Sequence, residues 1–161
     1  MIRKLSLVDS LLVCSRMRPL DRACIRALSA GIDDETFAVS RFQTEGPAWS
    51  LVDHRGVPQA IFGLTLQNAW TAVAWLVCAE MTAALWKELI RFVKGVRDRV
   101  TDPSHDGYRH RVHAHVLSTW AEAREFARRL GGQYEGTHRG AGAGGEDIEV
   151  WAIVGPAKGT A

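Results

Sequence analysis

From Trp70 to Ala79 every residue is apolar except Thr71. The run is far too short to cross a bilayer, and it lacks the alternation of a strand with one wet face. It reads as a strand covered on both faces, the centre of a sheet. Beyond it, Leu85, Leu89, Phe92 or Val93, Val96 and Val100 recur every three or four positions, with Lys87, Glu88, Arg91, Lys94 and Arg97 between them. That spacing predicts an amphipathic helix of about four or five turns. A buried strand leading into a long one-faced helix restricts the chain to an α/β architecture.

On the N-terminal side, residues 2 to 7 suit a short strand, and Ser10 to Met17 carries apolar residues on nearly every side, as a buried helix would. Pro19 is expected to close that helix and Asp21 to cap a second, which Gly31 ends. Trp49 to Val52, the turn Asp53-His54-Arg55-Gly56, and Pro58 to Leu66 form a hairpin pattern. On the C-terminal side, Tyr108 to Leu117 alternates, with Val112, Ala114 and Val116 on one face and Arg111, His113 and His115 on the other. Thr119 to Glu122 fits a capping box, and Trp120, Ala123, Phe126, Ala127 and Leu130 make a helical stripe that stops at Gly131-Gly132. Gln133 to His138 and Ile148 to Val154 then read as strands joined by the glycine-rich Gly140 to Gly145. The expected order is strand, two helices, three strands, long helix, strand, helix, two strands. It forms one domain over residues 1–154, with an unpacked tail at 155–161.

Bulk properties narrow the function classes. The 161 residues are 47% hydrophobic and 24% charged, with a net charge of +2, so neither disorder nor nucleic-acid binding through overall field is indicated. Cys14, Cys24 and Cys78 are widely spaced and form no C-x-x-C pair, which suits a reducing cytoplasm. The opening Met1 to Cys14 looks superficially like a leader, but Asp9 interrupts the apolar run and Val13 is bulkier than a cleavage site takes.

The element order, with Ala30-Gly31-Ile32, Gly56-Val57-Pro58, Ala60-Ile61-Phe62-Gly63, Trp75-Leu76-Val77 and Phe126 to Gly132 at their places in it, resembles the GNAT (Gcn5-related N-acetyltransferase) fold. The likeness runs over about residues 5 to 154. Those local sequences resemble in particular a phage-encoded subfamily of GNAT-like proteins that includes an internal virion protein of short-tailed phages. The resemblance implies an α/β (α+β) fold, a central mixed sheet flanked by about four helices.

In catalytic members a loop of the pattern Arg/Gln-x-x-Gly-x-Gly/Ala joins the central strand to the long helix, and its backbone amides hold the coenzyme pyrophosphate. The matching stretch here, Cys78 to Ala84, has neither glycine nor basic residue, and Glu80 repels phosphate. The usual general acid, a tyrosine after an aromatic residue in the last helix, is matched by Ala127, which has no proton to give. The resemblance therefore implies a phage or prophage protein that is non-catalytic. It would act through contacts with other virion or assembly proteins in the host cytoplasm or inside the particle, with no cofactor and no membrane. The alternative is an active acetyl-CoA-dependent N-acetyltransferase, with Glu80 as general base and the amides of Met81, Thr82 and Ala83 at the phosphates.

Other patterns remain as candidates. His113 and His115 have an H-x-H spacing that chelates zinc when a third ligand is supplied, from Asp102, Asp106 or His138, but polar strand-face histidines are the simpler account. Gly140-x-Gly142-x-x-Gly145 has the letters of a dinucleotide fingerprint yet precedes a strand, so it reads as a flexible hairpin tip. Cys78 reads as a buried strand cysteine, not a nucleophile. Arg109, Arg111, Arg124, Arg128, Arg129 and Arg139 would give a basic C-terminal face, the basis of a second alternative, a small binding module. Of the six tryptophans, any left exposed would mark an interface.

Overall fold

A computed structural model describes residues 1–156, so the part of the expected tail beyond Pro156 lies outside the described residues. The elements follow in the order β1 (Ile2–Lys4), α1 (Leu7–Ser15), α2 (Pro19–Leu28), α3 (Asp34–Gln43), β2 (Ala48–Val52), β3 (Pro58–Leu66), β4 (Thr71–Cys78), α4 (Ala83–Val100), β5 (Arg111–Leu117), α5 (Ala121–Arg129), β6 (Gln133–His138) and β7 (Ile148–Val154). The strands form a seven-stranded sheet in the order β1-β2-β3-β4-β5-β7-β6. It is mixed, as expected: β4 and β5 run parallel, Thr71–Val73 against Arg111–His113, while β1, β2 and β3 are antiparallel neighbours, and so are β5, β7 and β6. The described residues fall into two compact units, Met1–Thr65 with Trp75–Leu89, and Leu66–Ala74 with residues 90–156.

In the first unit, local chemistry moves three boundaries. The Asp9 amide donates to Ser6 Oγ at 3.1 Å, so α1 starts three residues earlier than its apolar pattern suggests. Pro19 opens α2 and does not close α1, because the first helical position needs no N–H and welcomes a fixed φ. Asp21 is not a cap; Arg18 occupies the N-cap position, and the Asp21 carboxylate is used elsewhere.

Helix α3 was absent from the expected order, which makes five helices where about four were anticipated. Its start is encoded by Asp33, whose carboxylate accepts from the Thr36 amide at 2.7 Å. Phe37 and Ala38 are buried, and Ser10 Oγ of α1 donates to the Ala38 carbonyl at 2.8 Å. Together with Val13, Cys14, Met17, Ile61 and Val77 they form the core of this unit.

Two further features hold the unit together. Asp9, 2% exposed, accepts from Arg3 Nε at 3.0 Å and Nη2 at 2.7 Å, and from Ser50 Oγ at 2.5 Å. Burial pushes its carboxyl upward, but the bonds from Arg3, Ser50 and Ser6 outweigh burial and leave it below the usual carboxylate range. On β3, Gly63 has no room for a side chain: a Cβ there would lie 2.6 Å from the Pro47 carbonyl oxygen, 2.8 Å from Trp75 Cζ2 and 2.9 Å from Ala48 Cβ.

In the second unit, Val116, Leu117, Ile148, Val150 and Ala152 are buried. Thr119 does not cap α5; the N-cap is Trp120, with no side-chain cap bond. The capping-box reading fails because the buried Trp120 takes the entry position and leaves Thr119 one residue outside the helix. The helix stops as expected, with Gly131 at φ 91°, a conformation open to glycine at little cost.

Candidate functional site

The turn joining β4 to α4 is built from the strand outward. Cys78, at the end of β4, donates its amide to Asp21 Oδ1 at 3.1 Å, and its carbonyl accepts from the Arg18 amide at 3.0 Å. The Ala79 amide donates to the Gln59 carbonyl at 2.8 Å. Past this anchorage the chain leaves the sheet through exposed Glu80, half-buried Met81 and exposed Thr82. The Thr82 carbonyl accepts from the Trp86 amide at 3.0 Å, and its hydroxyl lies 3.4 Å from the Leu85 amide, so Thr82 starts α4. Ala83 and Ala84 follow, both exposed, and no acidic residue occupies the first turn.

The sequence of this turn contains no cation, yet the fold brings one to it. The Arg18 guanidinium lies 5.3 Å from the centre of the Trp86 ring, within cation–π range, and its Nε donates to Asp21 Oδ2 at 2.6 Å. Burial pushes the Asp21 carboxyl upward, against the pull of Arg18 and the Cys78 amide. Burial, with the charge of Asp21 beside it, pushes the Cys78 thiol far above its ordinary range. A thiolate nucleophile does not form there at neutral pH.

The turn does not fit the phosphate cradle that the GNAT pattern calls for. An amide nest needs a residue in the left-handed region, and no residue from Ala79 to Ala84 has positive φ. What remains for an anion is the helix terminus itself, at Ala83 and Ala84. Glu80 makes no hydrogen bond or ion pair among the described residues and lies open to solvent. On α5, half-buried Ala127 leaves no hydroxyl where the general acid is expected.

The other candidates resolve individually. The rings of His113 and His115 meet edge to face at 5.2 Å, and burial pushes both imidazoles below their ordinary range. No group of three His, Cys, Asp or Glu side chains among the described residues is arranged to hold a metal ion, so the H-x-H spacing gains no third ligand. The glycine-rich loop is filled by its own carboxylates: the Gly140 amide donates to Asp147 Oδ1 at 2.8 Å and the Gly144 amide to Glu146 Oε2 at 2.9 Å. The Gly142 amide adds a bond to the Glu146 carbonyl at 2.8 Å. That loop is organised from within and offers no phosphate cradle.

The expected basic face is largely neutralised. Arg111 pairs with Glu135, Arg124 with Glu149 at 3.1 Å, and Arg128 and Arg129 with Glu125, each at 2.7 Å, which holds the Glu125 carboxyl down to about 2. Among the tryptophans, Trp70 is the exposed one, at 55%.

No family profile matches the sequence, and no curated protein does. Solved structures match along nearly the whole chain. The ribosomal-protein-alanine N-acetyltransferase of Brucella melitensis superposes with a TM-score of 0.66 at 14% identity, covering 96% of this chain and 99% of its own. The ribosomal-protein-S18-alanine N-acetyltransferase of Escherichia coli gives 0.63 at 16%, covering 100% and 97%. A Salmonella typhimurium protein assigned as an acetyltransferase, solved with acetyl-CoA, gives 0.68 at 12%, covering 99% and 96%. The fold is that of the GNAT acetyltransferases. Identities this low carry the GNAT architecture and not its chemistry. Within that architecture, the β4–α4 turn stands where the sequence likeness expected the coenzyme loop. No helix among the described residues is long and apolar enough to cross a membrane.

Proposed function

We propose that this chain is a GNAT-fold protein that does not transfer acetyl groups and acts through protein contacts, in virion assembly or as an internal component of a phage or prophage particle. The non-catalytic part rests on the β4–α4 turn, which has ordinary backbone from Ala79 to Ala84 and an exposed carboxylate, Glu80, where a diphosphate would arrive. Ala127 supports it by removing the usual proton donor. The contact role draws on Trp70, exposed at the β3–β4 turn, since tryptophan is enriched among interface anchors. The virion setting rests on the sequence resemblance of residues 30–32, 56–58, 60–63, 75–77 and 126–132 at their places in the element order; the structural neighbours speak to fold and not to origin.

Calorimetric titration with acetyl-CoA tests the non-catalytic part: no saturable heat is expected, and a micromolar Kd would sink it. For the virion setting, peptides of this chain are expected by mass spectrometry in gradient-purified particles, and their absence from such particles would remove it.

One arrangement favours a second reading, an active N-acetyltransferase. The α4 terminus is open at Ala83 and Ala84, and Arg18 brings positive charge to the first turn of α4. On this reading the amides of Met81, Thr82 and Ala83 take the phosphates and Glu80 takes the proton of an acceptor amine. Glu80→Gln is then expected to cut kcat/KM by about 100-fold or more, measured by thiol release across an amine panel. No thiol release from the unsubstituted chain with any amine would end this reading.

A further inference from the structure

His113 and His115 stand two residues apart on β5, so both rings lie on one face of the sheet, where they meet edge to face at 5.2 Å. In the register of the sheet, His113 has Val73 of β4 on one side and Ala152 of β7 on the other, and His115 has Val150 of β7. None of these neighbours carries charge. The charged and titratable groups that act on the pair are Arg111 on the same strand and Glu135 and His138 on β6. The one acid in that set, Glu135, already accepts from Arg111 at both oxygens, at 2.7 and 2.5 Å.

This arrangement suits neutral rings and opposes charged ones. His113 Nδ1 is buried and has no hydrogen-bond partner. A neutral imidazole can keep its proton on Nε2 and leave Nδ1 bare. A second proton must go to Nδ1, and a buried N–H without an acceptor loses its bonds to water with no replacement. Electrostatics acts in the same direction. Burial is the largest influence against charge on both rings; for His113 the charges of His115 and Arg111 add to it, against Glu135, and for His115 that of His138 adds to it. The rings therefore take up protons more readily once their surroundings open. What the neutral pair contributes to stability is complete above the unfolded histidine pKa of about 6.5 and is lost as pH falls through the lower folded values.

The strand least able to withstand that loss is β6. It is the outermost of the sheet, paired only with β7, and its register shifts between Tyr134 and Gly136, at the residue that holds Arg111. We infer that His113 and His115, together with His138, make β6 an acid-released strand: in mild acid their protonation frees β6 from β7 and bares the outer edge of β7. Such an edge presents unpaired backbone groups that another strand can meet. The inference does not depend on acetyl transfer or on coenzyme binding.

Amide hydrogen exchange on the full chain at pH 7.5 and pH 5.5, corrected for the intrinsic change in rate with pH, tests this. The β6 amides bonded to β7 are expected to exchange about tenfold faster at the lower pH, the factor for one proton taken up a unit below 6.5, while those of β3 keep their rate. The double variant His113→Gln, His115→Gln should lose this acceleration. His138 is exposed, so His138→Gln tests the coupling without disturbing the core: the His115 imidazole resonance should titrate at higher pH than in the unsubstituted chain, and β6 should accelerate less. Corrected β6 rates that do not change with pH, equal acceleration in β3, or a His115 titration unmoved by His138→Gln would overturn the proposal. So would the full acid response persisting in the double variant.

Discussion

Asp9→Ala is expected to lower stability by about 2 to 3 kcal/mol, a fall in Tm of roughly 5 to 10 °C for a chain of this size. The carboxylate ties together three elements: Arg3 of β1 donates to both its oxygens, and buried Ser50 of β2 donates to one of them. Removing it leaves the Ser50 hydroxyl buried without that acceptor, whereas Arg3, with a side chain 45% exposed, turns to water. The expected loss therefore sits below that of a fully enclosed ion pair. Acid adds a second signature. Because the folded-state pKa of Asp9 lies below its ordinary value, its stabilising contribution is complete above the unfolded carboxyl pKa of about 4 and is lost as pH falls through the lower folded value. Urea midpoints measured from pH 7 to pH 2 should converge for the unsubstituted chain and Asp9→Asn at the acid end. Curves that stay parallel over the whole range would show that Asp9 does not titrate as described.

Gly63→Ala should be at least as damaging, at about 3 kcal/mol. Two of the three atoms it would strike cannot swing away: the Pro47 oxygen at 2.6 Å is backbone, and the Ala48 Cβ at 2.9 Å is fixed to backbone. The third, Trp75 Cζ2 at 2.8 Å, belongs to a ring packed against the core. A second substitution, Trp75→Leu, is expected to recover less than half of the loss, because the Pro47 carbonyl stays in place. Denaturant titration of the two single variants and the double variant measures this. Full recovery would mean that the indole alone sets the constraint.

The parts of the fold that the sequence made legible are those where one physical signal dominates a long segment. The uninterrupted apolar run of β4 and the three-to-four spacing of α4 are such signals, and both elements stand where they were expected. Helix α3 was missed because its buried face is narrow. Phe37 and Ala38 are its buried residues, and Arg41, which a pattern reading assigns to solvent, instead lies against two aromatic rings. The start signal at Asp33 was present but had no apolar stripe behind it to give it meaning. The same limit applies to the site. The missing glycines between Ala79 and Ala84 can be read directly, since a backbone requirement is local. The approach of Arg18 to Trp86 and of Arg41 to Trp75 cannot, because each pair is far apart in the chain and no local period links its members. The fate of the arginines on the expected basic face was hidden for the same reason: Glu135 and Glu149 reach Arg111 and Arg124 only through the pairing of strands and the seating of α5.

The segment from Gly140 to Gly145 has a kinetic consequence. Loops this rich in glycine ordinarily trade their amide protons with water almost as fast as an unfolded chain. Here the N–H groups of Gly140, Gly142 and Gly144 are engaged by Asp147 and Glu146, so deuterium uptake at these three positions should lag behind that at Ala141 and Ala143. Two acidic residues just ahead of β7, through two carboxylates and one carbonyl, thus give a stretch that looks like a linker the exchange behaviour of a small folded element.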